Sequence, residues 1–224
     1  LNAANNTSAR IPAIGILGGT FNPIHYGHLR MAQELADGLN LDTVHFIPAA
    51  NPPHKDTPAI TTQHRAAMVQ LGIANNQTFV FDGRELARNG PSYSIDTLQS
   101  LRSELGTASS ITLFMGSDAF TKFDSWHRWQ EIIDFCHIAL VQRPQLRGHD
   151  QKLSKTLETF LHNHYTENAD DLHSQPSGFV TMRQVTALDI SSTAVRHALQ
   201  HKKSVRYLVP DGVIDYIKTH EFYL

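Results

Sequence analysis

The sequence predicts an α/β fold built on a doubly wound parallel sheet, and three observations predict it. Short apolar runs alternate with stretches of helical spacing along most of the chain. Those runs are mostly unbroken by polar residues, as in strands buried on both faces. At 224 residues, with 41% hydrophobic and 18% charged residues, the chain can bury a core without staples. The expected architecture is Rossmann-like, with helices on both faces and a small C-terminal helical portion.

The first run, Ala13 to Gly18, reads as a buried strand stopped by glycine. From His28 to Leu39, Leu29, Ala32, Leu35, Ala36 and Leu39 fall at helical steps. Thr43 to Pro48 is a second strand, followed by a Pro-rich loop. Thr61 or Thr62 can cap a helix through Ala74. Thr78 to Asp82 is a third strand. Ser94 is placed to cap a helix carrying Ile95, Leu98, Leu101 and Leu105. Ile111 to Gly116 is a fourth strand, Trp126 to Phe135 a short helix and His137 to Gln142 a fifth strand. Residues 144–177 are polar and His-rich, with a helix expected near Leu153–His164. Phe179 to Val185 is the last strand, and helices over Ser191–Gln200 and Asp211–His220 follow. No linker or repeat divides the chain, so residues 12–224 are expected to form a single domain. Residues 1–11 are expected to be a flexible N-terminal segment.

Composition narrows the function. Lys and Arg number 19 against 21 Asp and Glu, a net charge of −2, which lacks the basic footprint of a nucleic-acid binder. One cysteine, Cys136, excludes an internal disulfide framework and a Cys-rich zinc site, and it reads as a small buried apolar residue. No apolar run reaches the roughly 18 residues a membrane span needs. The first dozen residues lack the apolar centre of a secretory signal. A cytoplasmic protein is expected, with no membrane partner.

In parallel sheets, ligands sit beyond the carboxyl ends of the strands. The strongest signal lies at the first such exit, GGTFNPIHYGHLRMA over residues 18–32. Gly18 and Gly19 let the backbone turn sharply and approach a ligand. Gly27 and His28 open a helix, whose exposed N–H groups favour an anion. His25 and His28 add two imidazole donors there, which makes a phosphate grip. A tight turn with incidental histidines is the plain alternative, and a zinc pair would need a third ligand that the neighbourhood does not offer. Neither a G-x-G-x-x-G fingerprint nor a Walker A loop is present. A second signal is Ile190-Ser191-Ser192-Thr193-Ala194-Val195-Arg196, where hydroxyls, helix-start amides and a guanidinium converge. An ordinary Ser/Thr cap with a solvated Arg is its plain alternative.

The string Gly18-Gly19-Thr20-Phe21-Asn22-Pro23-Ile24-His25-Tyr26-Gly27-His28 resembles the signature of the nucleotidyltransferases with the H-x-G-H motif, and Ile190–Arg196 resembles their I-S-S-T-x-[IV]-R element. Three further segments resemble the nicotinate-nucleotide adenylyltransferase branch: Pro52-Pro53-His54-Lys55, Glu85-Leu86 with Pro91-Ser92-Tyr93-Ser94, and Gly116-Ser117-Asp118 with Trp126. Ser94 stands in place of the usual Thr and keeps a hydroxyl. Asn22 stands where members often carry Asp, and it brings no charge, so no acid role falls to it.

The resemblance implies adenylyl transfer from ATP to nicotinate mononucleotide, giving nicotinate adenine dinucleotide and diphosphate, with Mg²⁺ carried by ATP. It implies His25, His28 and Arg196 as catalytic groups. It places ATP at Gly18, Gly19, Thr20, Phe21, Gly27, Gly116, Ser117, Asp118, Ile190, Ser191, Ser192 and Thr193. Asn22, His54, Lys55, Tyr93, Ser94, Trp126 and Arg143 are implied for the nicotinate nucleotide. Trp126 could stack on the pyridine ring, and Trp129 reads as core. Asp96 and Thr97 read as structural, and His149, His162, His164 and His173 as solvated. The alternatives are transfer to nicotinamide mononucleotide or phosphopantetheine, cytidylyl transfer, a non-catalytic nucleotide-binding protein, and an NAD-dependent dehydrogenase.

Overall fold

The computed structural model describes residues 11–52, 60–142, 153–186 and 188–223. Its sheet has six strands: β1 (Ala13–Gly19), β2 (Thr43–Pro48), β3 (Phe79–Phe81), β4 (Ser110–Gly116), β5 (His137–Gln142) and β6 (Val180–Gln184). They lie in the order β3-β2-β1-β4-β5-β6, and every pair is parallel. The chain thus winds outward from β1 to β3, then returns to set β4 against the other side of β1. The predicted doubly wound parallel sheet is observed.

Helices α1 (Tyr26–Gly38), α2 (Thr62–Ile73), α8 (Ser192–Gln200) and α9 (Asp211–Thr219) feed one core with Leu35, Met68, Val195 and Val213. Helices α3 (Ser94–Leu105), α5 (Trp129–Phe135) and α6 (Lys155–His164) feed the other with Leu98, Ile132 and Leu157. The strands serve both cores by turns. Ala13 and Leu17 of β1 face the first, and Ile14 and Ile16 face the second. This period of two explains why the strands read as continuous apolar runs. Two one-turn helices, α4 (Ser117–Phe120) and α7 (Asp171–Ser174), complete the set among the described residues. No helix there is long and apolar enough to cross a membrane.

The helix expected over Trp126–Phe135 is shorter than predicted. A 3-10 turn covers Phe123–Ser125, Trp126 is extended, and Arg128 takes a left-handed φ of 51°. An α-helix cannot pass through that conformation, so α5 begins at Trp129. Trp126 and Trp129 both pack edge-on to the buried Phe123, at centroid distances of 5.6 and 5.5 Å. Tyr93, not Ser94, takes the cap position of α3, and Ser94 is its first helical residue. Ser191 and Ser154 do cap α8 and α6, accepting from Ala194 N–H and Leu157 N–H. Cys136 is buried in the second core. His164 and His173, expected to be solvated, instead bond to the carbonyls of Gly178 and Leu39.

One buried polar group gives stability a pH dependence. His137 on β5 is fully buried; its Nδ1 accepts from Phe179 N–H (3.1 Å) and its Nε2 faces the Gln175 carbonyl at 3.0 Å. The neutral imidazole protonated on Nε2 satisfies both contacts, whereas an imidazolium would turn a donor toward the Phe179 N–H. Burial, with nearby Arg102 and His173, lowers the pKa from 6.5 to about 4. The unfolded chain therefore binds a proton that the folded chain refuses, and stability falls as pH drops through that interval. The loss by pH 4 should reach roughly 3 kcal/mol. Urea denaturation should show a flatter profile over this range in His137→Asn than in the unsubstituted protein, and identical slopes would remove His137 as the cause.

Candidate active site

The site begins where the sheet opens. The ladder between β1 and β4 runs from Ala13↔Ser110 to Ile16↔Leu113, yet β1 continues to Gly19 and β4 to Gly116. The two strand ends therefore part, and a crevice forms where the winding reverses, the usual ligand position in such sheets. A Cβ on Gly18 would meet nothing within 4 Å, so this backbone faces open space. Across the crevice, the Asp118 carboxylate folds over Gly116, and a Cβ there would lie 2.5 Å from its Oδ1. Ser117 starts α4 directly at the β4 exit.

The loop Thr20–Pro23 is held by its carbonyl oxygens. Arg65 on α2, 1% exposed, donates from Nη1 to Thr20 O at 2.6 Å. Arg196 on α8 donates from Nη1 to Asn22 O at 2.8 Å, and Ser192 Oγ donates to Pro23 O at 2.9 Å. Phe21 adopts a positive φ of 48° with its ring buried. That conformation is uncommon for a bulky residue and persists only where its surroundings hold it. A trans peptide points its N–H away from its carbonyl. With Thr20 O turned to Arg65, the Phe21 N–H is aimed the opposite way.

His25 and His28 lie at the start of α1 and stack at a centroid distance of 3.7 Å. His25 N–H donates to His28 Nδ1 at 3.3 Å. That contact puts the proton of a neutral His28 on Nε2, making Nε2 a donor. Phe21 supports the ring edge-on at 5.1 Å. Gly27 is needed at close quarters, since a Cβ there would lie 3.0 Å from the His25 ring and 3.4 Å from Ile190 O. The same contact brings the 190–196 segment against the histidines. Two signals far apart in sequence thus meet around one loop.

A second wall comes from the β2 exit. Ala49 N–H bonds Gly19 O, and the N–H groups of Ala50 and Asn51 both donate to Ser92 Oγ (3.0 and 3.1 Å). This sets Tyr93 and Ser94 beside the β2 exit. Tyr93 stacks on His127 at 4.3 Å, next to Trp126. Behind them, Thr97 donates to the buried Glu85 at 2.6 Å and accepts from Arg88, the structural role expected of Thr97. Burial raises the Glu85 pKa, a shift opposed by its hydrogen bonds and by Arg88.

His54, Lys55 and Arg143 lie outside the described residues, as do Pro53 and His149. Three residues here had no signal in the sequence: Arg65, His127 and Tyr223, whose hydroxyl donates to the Asn22 side chain. Arg65 lies 45 residues from Thr20 and reads as one charge on a helix face. His127 is hidden behind the expected helix at Trp126. Among the described residues neither Arg65 nor Arg196 forms an ion pair, and both guanidiniums lie beside the loop. The donors here are imidazole, guanidinium, hydroxyl and amide groups. Among the described residues, no group of three or more His, Cys, Asp or Glu could hold a metal ion.

Arg65 also bonds Ala50 O and Thr62 Oγ1, and burial depresses its pKa. Substituting Arg65→Met keeps bulk but leaves two carbonyls without their donor. It should lower the free energy of unfolding by about 2–4 kcal/mol in urea denaturation, and an unchanged midpoint would show that the clamp adds nothing to stability.

Comparison with known proteins gives a consistent picture. The family described as cytidylyltransferase-like matches residues 16–198. A protein of Pseudomonas entomophila named probable nicotinate-nucleotide adenylyltransferase is 42% identical over 97% of this chain and 98% of its own length. One of the same name from Marinomonas is 39% identical over 98% of each chain. The fold is similar to that of Plasmodium falciparum nicotinic acid mononucleotide adenylyltransferase, solved with APC and with NaAD. The TM-score is 0.68 for both, covering 95% of this chain and 97% of that one, at 16% and 18% identity. With a family match over most of its length and relatives near 40% identity end to end, the chain belongs to the cytidylyltransferase-like family, among its nicotinate-nucleotide adenylyltransferases.

Proposed function

We propose that this protein transfers the adenylyl group of ATP to nicotinate mononucleotide, forming nicotinate adenine dinucleotide and releasing diphosphate in NAD biosynthesis. The observation that carries this reading is the meeting of the His25/His28 helix start and the Ser191–Arg196 helix start on the Thr20–Pro23 loop. Two helix N-termini, two imidazoles and a guanidinium around one crevice suit a polyphosphate.

In the proposed reaction, a phosphate oxygen of the acceptor forms a bond to the α-phosphorus of ATP. The bond from that phosphorus to the bridging oxygen breaks, and diphosphate leaves with the electron pair. The acceptor phosphate is anionic near neutral pH, so no general base is required. The protein's part is positioning and stabilisation of charge. His28, with Nε2 as donor, is assigned to the α-phosphate, with His25 stacked behind it. Arg196 and the amides and hydroxyls of Ser191, Ser192 and Thr193 are assigned to the β- and γ-phosphates, where charge builds on the leaving group. Gly18, Gly19, Thr20, Phe21, Gly27 and Ile190 would shape the ATP side, with Gly116, Ser117 and Asp118 opposite.

ATP brings Mg²⁺ as part of the substrate. The cationic and neutral donors of the crevice suit phosphate oxygens, so the ion would be held by the nucleotide and water. On the acceptor side, Tyr93, Ser94 and Trp126 would meet the nicotinate ring and its carboxylate, with Asn22 nearby. His54, Lys55 and Arg143 are assigned by resemblance alone.

His28→Ala should lower kcat/KM for diphosphate release by roughly 10²–10³-fold, and wild-type turnover in that variant would refute the His28 assignment. In a product assay with ATP and Mg²⁺, nicotinate mononucleotide should be used in preference to nicotinamide mononucleotide, phosphopantetheine or CTP-dependent acceptors. Preference for the amide would sink the choice of acceptor and leave the fold intact.

A further inference from the structure

Beyond α9 the chain folds back toward the active-site loop. Glu221 N–H bonds Lys218 O and Phe222 N–H bonds Ile217 O, while Glu221 and Tyr223 take left-handed φ values of 53° and 62°. This reversal carries the half-buried Tyr223 side chain to the Thr20–Pro23 loop. Its hydroxyl donates to Asn22 Oδ1 at 2.5 Å, across 201 residues of sequence. The same Asn22 gives its main-chain carbonyl to Arg196. Phe222 packs at 4.7 Å from the His64 ring on α2, one residue before Arg65, so the turn is anchored where the Arg65 clamp begins.

We propose that Tyr223 is a positioning residue for the nucleotide: by holding the Asn22 side chain, it fixes the loop that Arg65, Arg196 and Ser192 hold by its main chain. The inference rests on the adenylyl-transfer reading above. Geometry separates the roles. Every main-chain carbonyl contact acts on the loop whatever residue stands at 22, whereas Tyr223 acts only through the Asn22 side chain. Burial pushes the phenol pKa well above its ordinary value, against the pull of Arg196 and Arg65. The hydroxyl therefore stays protonated and stays a donor. It also lies within the electrostatic reach of both guanidiniums without cancelling either, which leaves their charge for phosphate. A carboxylate in that place would compete with the nucleotide.

The test is a double-mutant cycle on Tyr223→Phe and Asn22→Ala, read by KM for ATP, kcat, and Kd for α,β-methylene-ATP. Tyr223→Phe should raise KM for ATP and Kd for the analogue about 3- to 10-fold, in line with one lost hydrogen bond. kcat should stay within about 2-fold, a split that general destabilisation would not produce. Asn22→Ala alone should raise Kd for the analogue by a similar factor, and adding Tyr223→Phe to it should change that Kd by less than about 2-fold. Additive losses in Kd, or a fall in kcat as large as the rise in KM for ATP, would overturn the proposal. If Tyr223→Phe fails to fold, Asn22→Ala still decides: an unchanged Kd for the analogue overturns it. If the wild-type protein makes no dinucleotide, the functional reading fails, and analogue binding still reads the clamp separately.

Discussion

The arrangement of this molecule depends on the capture of one four-residue loop by its carbonyl oxygens. Thr20 O, Asn22 O and Pro23 O each accept from a side chain on a different turn of α2 or α8. Such a loop would otherwise be free to offer carbonyls or amides to the crevice. Turning Thr20 O outward aims the Phe21 N–H the opposite way, and the held loop lets Phe21 keep an unfavourable backbone conformation. Two of the three captors are guanidiniums, so the hydrogen bonds that shape the loop also set its electrostatic sign. In a chain whose overall charge is −2, two guanidiniums at one loop concentrate positive charge without a basic protein around them.

The sheet supplies the place. Pairing between β1 and β4 stops at Ile16↔Leu113, and each strand runs on for three residues unpaired with the other. Glycines sit at both ends, Gly18 and Gly19 on one and Gly116 on the other, where side chains would fill the opening or strike Phe21 and Asp118. The histidine pair is then placed by the start of α1. A stacked His25 with its N–H on His28 Nδ1 gives the second ring a defined tautomer, which a solvated histidine lacks. A further wall comes from the β2 exit, where Ser92 Oγ accepts from the N–H groups of Ala50 and Asn51 and so ties that exit to Tyr93.

The buried polar groups divide into two kinds. His137 and Thr97 have their bonds closed within the fold and shape stability. Arg65 and Arg196 have guanidiniums bonded to neutral carbonyls with no carboxylate among the described residues to cancel them. Carbonyls orient a guanidinium and leave its charge in place.

Much of this was legible in the sequence alone. The parallel sheet followed from unbroken apolar runs, because a strand covered on both faces has no polar side to show. The two segments Gly18–His28 and Ser191–Arg196 stood out because a tight turn and a helix start are local and depend on residues a few positions apart. Cys136 and Thr97 were placed correctly as structural for the same reason. Tertiary structure decided what local pattern cannot carry. The contacts of Arg65, Arg196 and Tyr223 with the loop span 45, 174 and 201 residues, and no short-range spacing encodes them. The late start of the helix expected at Trp126 was decided by Arg128, whose left-handed backbone accompanies the packing of two indoles on Phe123. Sequence thus determined which groups could bind a phosphate. Packing over long separations determined that they meet on one loop.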